Sequence, residues 1–215
     1  MADQISICNQ ALAEIVAEPI ESLNEESLGA RECGRYYEQS LRSMLEAHPW
    51  GFATRRATLP ISINDRPAEW AAAYALPIDV AKPLKVMSAA TITGLGATIG
   101  WWLDDDLPGV TYAIENNLIY AQSTDAVLAY TTTDVNAATF PARFVDAFAF
   151  ELASRIVMPI KKSREMKGDL IKQAEAAKQR AMADDLNRQP ANDMWINRVQ
   201  AVRDGGDFYG MGWAR

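Results

Sequence analysis

The hydrophobic pattern of this chain changes twice, and the change limits the folds it can adopt. Through residues 1–57 apolar residues recur at helical spacing. From 58 to 138 short runs rich in β-branched and aromatic residues take over, separated by prolines and glycines, and helical spacing returns over 139–188. The sequence therefore predicts an α+β protein, in which N- and C-terminal helices form one antiparallel bundle and 58–138 forms an inserted antiparallel β subdomain.

The N-terminal part is predicted to hold two helices. The first covers residues 3–17, and Pro19 excludes its continuation. The second covers residues 25–48 and ends before Pro49, because proline cannot donate the next backbone hydrogen bond. One face of the second helix is predicted to point into the core, and it carries Ala30, Cys33, Gly34, Tyr37, Leu41, Met44, Leu45 and His48.

Two more helices are predicted after Thr139. The first is apolar over most of its surface, which is typical of a helix at the centre of a bundle or in an interface, and Pro159 is expected to close it. Ser163 is expected to cap the last helix, which runs to about Asn187. Because no helix has another partner for its apolar face, the helices before and after the insertion are expected to pack together.

The insertion is predicted to contain a small antiparallel sheet. Its expected strands cover residues 85–93, 110–114, 118–121 and 126–132. Asn116 and Asn117 stand between two of them, and asparagine tolerates positive φ, so this junction predicts a tight hairpin. The pattern fits a sandwich and a partial barrel equally.

Charge and cysteine usage limit the classes of partner. The formal net charge is −7, and an acidic protein gains nothing from neutralising phosphates, although an acidic wall around a DNA conduit would prevent sticking. Cys8 and Cys33 form neither a CxxC motif nor a disulfide framework, which favours a reducing cytosol. The sequence predicts neither a signal peptide nor a membrane span.

No catalytic signature stands out. The chain has no P-loop, nucleophile-elbow or zinc-protease motif. His48 is the one histidine, and its expected role is that of a satisfied histidine at a helix C-terminus. The glycines of 94–100 miss the dinucleotide-binding spacing by one residue and indicate a loop. We therefore expect no enzymatic activity, no metal and no cofactor.

Residues 101–106 carry two features that are candidates for contact with partners. Asp104, Asp105 and Asp106 cannot all face one ion without a tight turn, so a solvated loop is expected; if the loop lines a channel, it would help to repel passing DNA. Trp101 and Trp102 are adjacent, and on a strand one of them must face away from the core. That pair indicates either an interface or a covered loop.

Two further segments are interface candidates. Residues 189–215 lack a core pattern but contain glycines and large aromatics, which predicts an extended docking tail anchored by Trp195, Phe208, Tyr209 and Trp213. A basic cluster at the start of the last helix comprises Lys161, Lys162, Arg164 and Lys167. A solvated face is the default interpretation of that cluster, and salt bridges to an acidic neighbour in a ring are the alternative.

The order and spacing of several short motifs resemble one family. In chain order the motifs lie at 7–12, 20–23, Ala30, Cys33, Tyr36, Tyr37, 41–45, 48–53, Leu59, 74–77, 114–119, 140–144, Leu152, Ala153 and Pro159. Together they resemble the tail tubular protein A family, the head-to-tail adaptors of podoviruses, as far as about residue 187. The C-terminal tail lies outside the matched part.

This resemblance implies a helical bundle with a β-rich insertion and no enzymatic activity. It also implies a dodecameric ring under the portal protein, a tail nozzle similar to tail tubular protein B below, and a lumen through which DNA leaves the head without specific binding. The implied location is the virion, at the head-tail junction, after assembly in the host cytoplasm.

Two other functions stay open. A head completion connector of a long-tailed phage is one, but those connectors resemble smaller, mainly helical proteins, so the 58–138 insertion argues against it. A small hydrolase comes from another class, and the missing motifs argue against it. Binding to a tubular tail rather than a nozzle would identify the first; nuclease, ATPase and peptidoglycan hydrolase assays would identify the second.

Overall fold

The computed structural model describes residues 3–90 and 109–188, and in these residues the chain is an α+β protein. Its α-helices are α1 (Gln4–Glu14), α2 (Leu28–Ala47), α3 (Ala142–Lys161) and α4 (Arg164–Arg188). A short 3₁₀ turn, Ala137–Thr139, precedes α3. The predicted α+β class is confirmed, and each predicted helix is present.

Side-chain caps fix where the two N-terminal helices begin. Asp3 accepts a hydrogen bond from the backbone N–H of Ser6 at 2.6 Å, and the Ser6 hydroxyl accepts one from the N–H of Asp3 at 2.9 Å. Ser27 accepts a hydrogen bond from the N–H of Ala30 at 3.1 Å. Because the first N–H groups of a helix have no partner within it, each cap stabilises its helix by about 1 kcal/mol.

Helix α3 continues past the proline that was expected to close it, so that prediction is wrong. Pro159 lies inside Ala142–Lys161. A proline this close to the C-terminus removes only the hydrogen bond to the carbonyl four residues back, and the preceding turns are already formed. The helix ends instead at Lys162, whose φ of 56° is left-handed and whose N–H donates to the Met158 carbonyl at 3.1 Å.

The strands of the described residues form two antiparallel sheets. They are β1 (Thr54–Thr58), β2 (Ile61–Ser62), β3 (Ala72–Ala75), β4 (Val80–Ser88), β5 (Tyr112–Glu115), β6 (Leu118–Ala121) and β7 (Ala126–Thr132). One sheet has the order β1-β7-β4 and the other β2-β3-β6-β5. The predicted bounds of β6 and β7 are confirmed. Sequence reasoning placed a strand at 85–93, whereas the corresponding strand, β4, begins at Val80. It missed β1, β2 and β3.

One tight hairpin lies within the four-stranded sheet, and two further features join the two sheets. The predicted hairpin between β5 and β6 is confirmed, because Asn116 and Asn117 have φ values of 48° and 64°. Between β1 and β2 stands only the dipeptide 59–60, so one bent strand takes part in both sheets. On the opposite side the N–H of Val110 donates to the carbonyl of Val86 at 2.8 Å. The two sheets are therefore connected along two corners, as in a partial barrel.

Two hydrophobic cores organise the molecule. The larger contains buried residues from α1, α2, α3 and α4, so helices from both sides of the β strands share it. The smaller draws on both sheets and comprises Leu59, Ala72, Tyr74, Val86, Ile119, Ala121, Ala126, Leu128 and Tyr130. Each part of the molecule therefore buries apolar surface of its own.

An aromatic cluster lies in the larger core, with Phe144 of α3 at its centre. The ring centroid of Phe144 is 4.9 Å from those of Trp50 and Phe52, 5.0 Å from that of Phe140 and 6.1 Å from that of Phe148. Several of these pairs meet edge to face, the arrangement that aromatic quadrupoles favour. Trp50 and Phe52 precede the strands and the others follow them, so the cluster joins the two halves of the chain.

The chain enters and leaves the β part at adjacent points. The N–H of Thr132 donates to the carbonyl of Ala53 at 2.8 Å, and Thr54 pairs with Thr131 at the start of β1. Since β1 begins at Thr54, regular β structure starts before residue 58, where the sequence placed the boundary.

Asp125 organises the loops at one end of the β part. Its carboxylate accepts hydrogen bonds from the hydroxyls of Ser88, at 2.8 and 2.9 Å, and Ser123, and from the backbone N–H of Ala90 at 2.8 Å. These hydrogen bonds, the one from Ser123 first among them, lower the pKa of Asp125 from its ordinary value. The carboxylate thus fixes the end of β4 against the turn before β7.

Replacing Asp125 with asparagine is expected to destabilise the protein at neutral pH, and less so in acid. Because its folded pKa is lowered, Asp125 stabilises the fold above the ordinary aspartate pKa, and this contribution is lost as pH falls through the lowered value. Urea unfolding of both proteins between about pH 7 and pH 2 measures the difference, which should shrink steadily below about pH 4. Asp169→Asn, on the exposed surface of α4, is the control and should show no such trend.

Candidate interaction surface

Most sequence-predicted site residues lie outside the described residues. This holds for Trp101 and Trp102, for Asp104, Asp105 and Asp106, and for the tail aromatics Trp195, Phe208, Tyr209 and Trp213. The features in the described residues that relate to a site are therefore His48, the basic cluster after α3 and surfaces that the sequence did not single out.

His48 has the satisfied role that the sequence predicted. It is buried at the C-terminus of α2, and its Nε2 lies 3.1 Å from Oδ2 of Asp185 near the end of α4. The Asp185 carboxylate also accepts the backbone N–H of Gly51, at 3.2 and 3.3 Å. The ring of His48 packs edge to face on Trp50, with centroids 4.9 Å apart. His48 and Asp185 therefore fasten the end of α4 to the segment that follows α2.

Reactive groups in the described residues are held in structural settings. Residues 3–90 and 109–188 contain no group of three His, Cys, Asp or Glu placed to hold a metal ion. Cys8 and Cys33 are free thiols inside the larger core. Hydrogen bonding to Cys33, together with burial, raises the pKa of Cys8 above its ordinary value. A buried thiol of raised pKa is a poor nucleophile, because the thiolate is the reactive form.

Several large apolar side chains are exposed. They are Val16, Leu28, Ile61, Ile63, Ile78, Ile114, Ile171 and Leu186. Single exposed aliphatic residues are ordinary on protein surfaces. Val16 differs from the others because its side chain is exposed and its backbone is also strained.

Val16 is the second residue of the connector, defined here as residues 15–27 between α1 and α2. Its φ is 53°, a left-handed value rare for a β-branched residue, and its side chain is 80% exposed. The N–H of Val16 donates to the carbonyl of Ala13, and that of Ala17 to the carbonyl of Leu12, both at 2.9 Å. This pattern ends a helix, and its left-handed position is usually occupied by glycine.

The rest of the connector is held in one conformation. The side chain of Asn9 donates to the carbonyl of Ile20 at 2.9 Å and accepts the N–H of Ile20 at 2.8 Å. The Glu25 carboxylate accepts the N–H of Glu21 at 2.8 Å and that of Ser22 at 3.3 Å. The backbone hydrogen bond from Glu21 is the largest cause of the lowered pKa of Glu25. These contacts fix how the connector presents its remaining side chains.

The basic cluster predicted from the sequence lies beside this connector. We call it the cationic turn, and it comprises Lys161, Lys162, Arg164 and Lys167. Lys161, Lys162 and Arg164 are exposed, and Lys167 is half-buried. Nζ of Lys161 donates to the carbonyl of Val16 at 2.8 Å. Connector and cationic turn therefore meet at the same end of the helices.

Sequence reasoning missed the role of the connector, although one signal was present. Pro19 indicates that α1 must end before it, and residues 13–18 contain neither glycine nor asparagine. A helix that closes with a left-handed residue must then place an ordinary side chain there. The choice of Val16 depends on the length of α1, which periodicity alone does not fix.

Comparisons with known proteins do not narrow the class. The chain matches no protein-family model, and no curated protein matches its sequence. In the described residues, no helix combines the length and the hydropathy of a membrane span. The fold and the surface geometry define an α+β protein. The end where the connector and the cationic turn meet carries charged side chains and the exposed Val16.

Proposed function

We propose that this chain is a structural virion protein, the adaptor subunit that joins the portal to the tail nozzle of a short-tailed phage. Copies of the chain form a ring, with twelve subunits in the form that the family resemblance implies. The ring lies between the portal protein and a nozzle similar to tail tubular protein B. DNA leaves the head through the lumen without specific binding.

One observation carries the proposal: helices from both sides of the β part share a single core. This is the arrangement that the resemblance implies, since α1 and α2 precede the strands, α3 and α4 follow them, and all four contribute to the larger core. We infer an antiparallel bundle for these helices.

The acidic charge suits a DNA conduit. A formal charge of −7 on every subunit gives a ring a strongly negative total, and a negative wall repels the phosphate backbone of passing DNA. Asp104, Asp105 and Asp106 are our candidates for lining this channel, and Trp101 and Trp102 for an interface of the β subdomain. Specific duplex binding would instead need a basic surface that neutralises phosphates.

We assign docking, on the portal or on an adjacent adaptor, to the C-terminal tail, residues 189–215. Replacing Trp195, Phe208, Tyr209 and Trp213 together with serine is expected to abolish attachment, because large aromatic anchors each contribute about 2 kcal/mol or more at interfaces. The measurement is co-sedimentation of the full chain with a portal ring of a short-tailed phage, followed by electron microscopy of the complex. A control variant exchanges the same four residues for other aromatics and should still attach.

Two outcomes would contradict the proposed function. The first is a wild-type chain that forms no ring, alone or on the portal. The second is a nuclease, ATPase or peptidoglycan hydrolase activity that is lost on replacing Asp104, Asp105 and Asp106. Attachment that survives the serine variant would refute the assigned role of the tail and leave the ring to be explained by other surfaces.

A further inference from the structure

We propose that the connector of one copy of this chain binds the cationic turn of the next copy, with Val16 as the apolar anchor of the contact. This rests on the proposed function in that it takes the chain to form rings, and it names the surfaces through which neighbouring copies meet.

Unpaired charges of opposite sign supply the first argument. The connector exposes Glu18, Glu21 and Glu26, and the cationic turn exposes Lys161, Lys162 and Arg164. None of these six side chains makes an ion pair with another residue of 3–90 or 109–188. By contrast, many other charged residues of α4 are paired within the helix, as Lys178 is with Glu175 and Arg188 with Asp184. The two surfaces therefore retain charge for a partner.

The relative position of the two surfaces supplies the second argument. The hydrogen bond from Lys161 to Val16 brings them side by side, and Glu14, Ser163 and Glu165 line one cleft between α1 and the start of α4. One end of each copy thus carries an acidic flank next to a basic flank. A second copy that meets this end can set its basic side chains against the acidic ones of the first copy.

The strain at Val16 supplies the third argument. A left-handed β-branched residue is strained, and such outliers persist where the surrounding structure imposes them. The strained conformation does not bury the Val16 side chain against the described residues, because that side chain is exposed. The carbonyl of Val16 accepts a hydrogen bond from Lys161, which holds the backbone at this position. The end of α1 accounts for the left-handed conformation, and burial in a contact between copies would account for the presence of valine there instead of glycine.

Rigidity of the connector favours binding. Asn9 and Glu25 hold it through hydrogen bonds to Ile20, Glu21 and Ser22, so little conformational entropy remains to be lost on association. Nucleic acid suits this end poorly, because the glutamates beside the cationic turn would repel phosphates. A second copy of this chain supplies basic side chains to face the connector and acidic side chains to face the cationic turn.

A charge exchange in the full-length chain tests the proposal. Lys162→Glu with Arg164→Glu, or Glu18→Lys with Glu21→Lys, is expected to weaken self-association at least about tenfold, because each pair sets like charges against each other. The variant with all four changes restores unlike charges and should recover most of the association. Self-association is measured by sedimentation velocity of the free chain and by native mass spectrometry of the chain on a portal ring. Thermal unfolding checks that each variant folds.

Val16→Gly gives a second and sharper readout. Glycine adopts the left-handed conformation without strain, so the subunit itself should become more stable to heat. The same change removes the apolar anchor, so self-association should weaken. A residue with a purely structural role would not move these two quantities in opposite directions. Ile171→Gly would perturb a helix interior, so the control is Ile171→Ala on the exposed face of α4, which should leave association unchanged.

The outcomes separate this inference from the proposed function. Rings that form normally in both charge-reversed pairs, or a fourfold variant no better than either pair, overturn the contact and leave the adaptor function standing. Association that follows the charges without any ring on the portal supports the contact and overturns the adaptor function. A wild-type chain that stays monomeric under every condition overturns both.

Discussion

Phe144→Ala is expected to lower the free energy of unfolding by about 3–5 kcal/mol, the range for deleting a buried phenylalanine side chain. Phe144 is 1% exposed, and its ring contacts rings on both sides of the β part, including Trp50 and Phe52 before it and Phe140 after it. The loss combines transfer of the side chain to water with a cavity that rigid aromatic neighbours cannot fill. Urea unfolding of the full-length chain, followed by circular dichroism, measures it.

Phe150→Ala is the matched control for this prediction. Phe150 lies on the same helix but is only half-buried, so its replacement should cost clearly less. If Phe144→Ala costs less than about 1 kcal/mol, or no more than the control, the aromatic cluster does not hold the two halves of the chain together.

Asp185→Ala is expected to cost about 2 kcal/mol and to loosen the C-terminal end of α4 before the whole molecule unfolds. The substitution leaves Nε2 of His48 without its acceptor in a buried site, and the partly buried N–H of Gly51 loses its acceptor as well. Desolvated groups that lose their partner carry the full penalty of burial. Hydrogen exchange should show faster exchange in the last two turns of α4, and urea unfolding gives the total loss.

The neighbouring residue supplies the control. Asp184 pairs with Arg188 at 2.8 Å, and both side chains are partly or largely exposed. A surface ion pair of this kind contributes at most about 1 kcal/mol, so Asp184→Ala should change stability and exchange only slightly. Equal effects of the two substitutions would show that the buried contact with His48 does not anchor α4.

Sequence reasoning succeeded where local chemistry decides the structure. Asn116 and Asn117 predicted a hairpin because asparagine adopts left-handed φ values readily. In the structure both residues have such values. Strand β7 was predicted with its observed bounds, and all of its residues are buried. His48 was predicted as a satisfied helix-terminal residue, although the partner, Asp185, lies 137 positions away and no local pattern could identify it.

Sequence reasoning failed where long-range packing decides the local structure. Strands β1, β2 and β3 are short, and Pro60 lies between the first two. They become strands through pairing: β1 pairs with β7, β3 pairs with β6, and β2 pairs with β3. Pro159 was taken as the end of α3, but a proline in the last turn removes little. Val16 gained its unusual conformation from the point where α1 ends and from the contact with Lys161, and neither is visible in a periodicity.

The hydrogen bond between Thr132 and Ala53 has a consequence for how such a protein can diversify. The chain enters and leaves the β part at adjacent residues, so the described strands are inserted between the two helical halves at one place. The aromatic packing around Phe144 lies outside these strands and joins the two helical halves. A change of length or sequence within the strands can therefore leave the helical core in place.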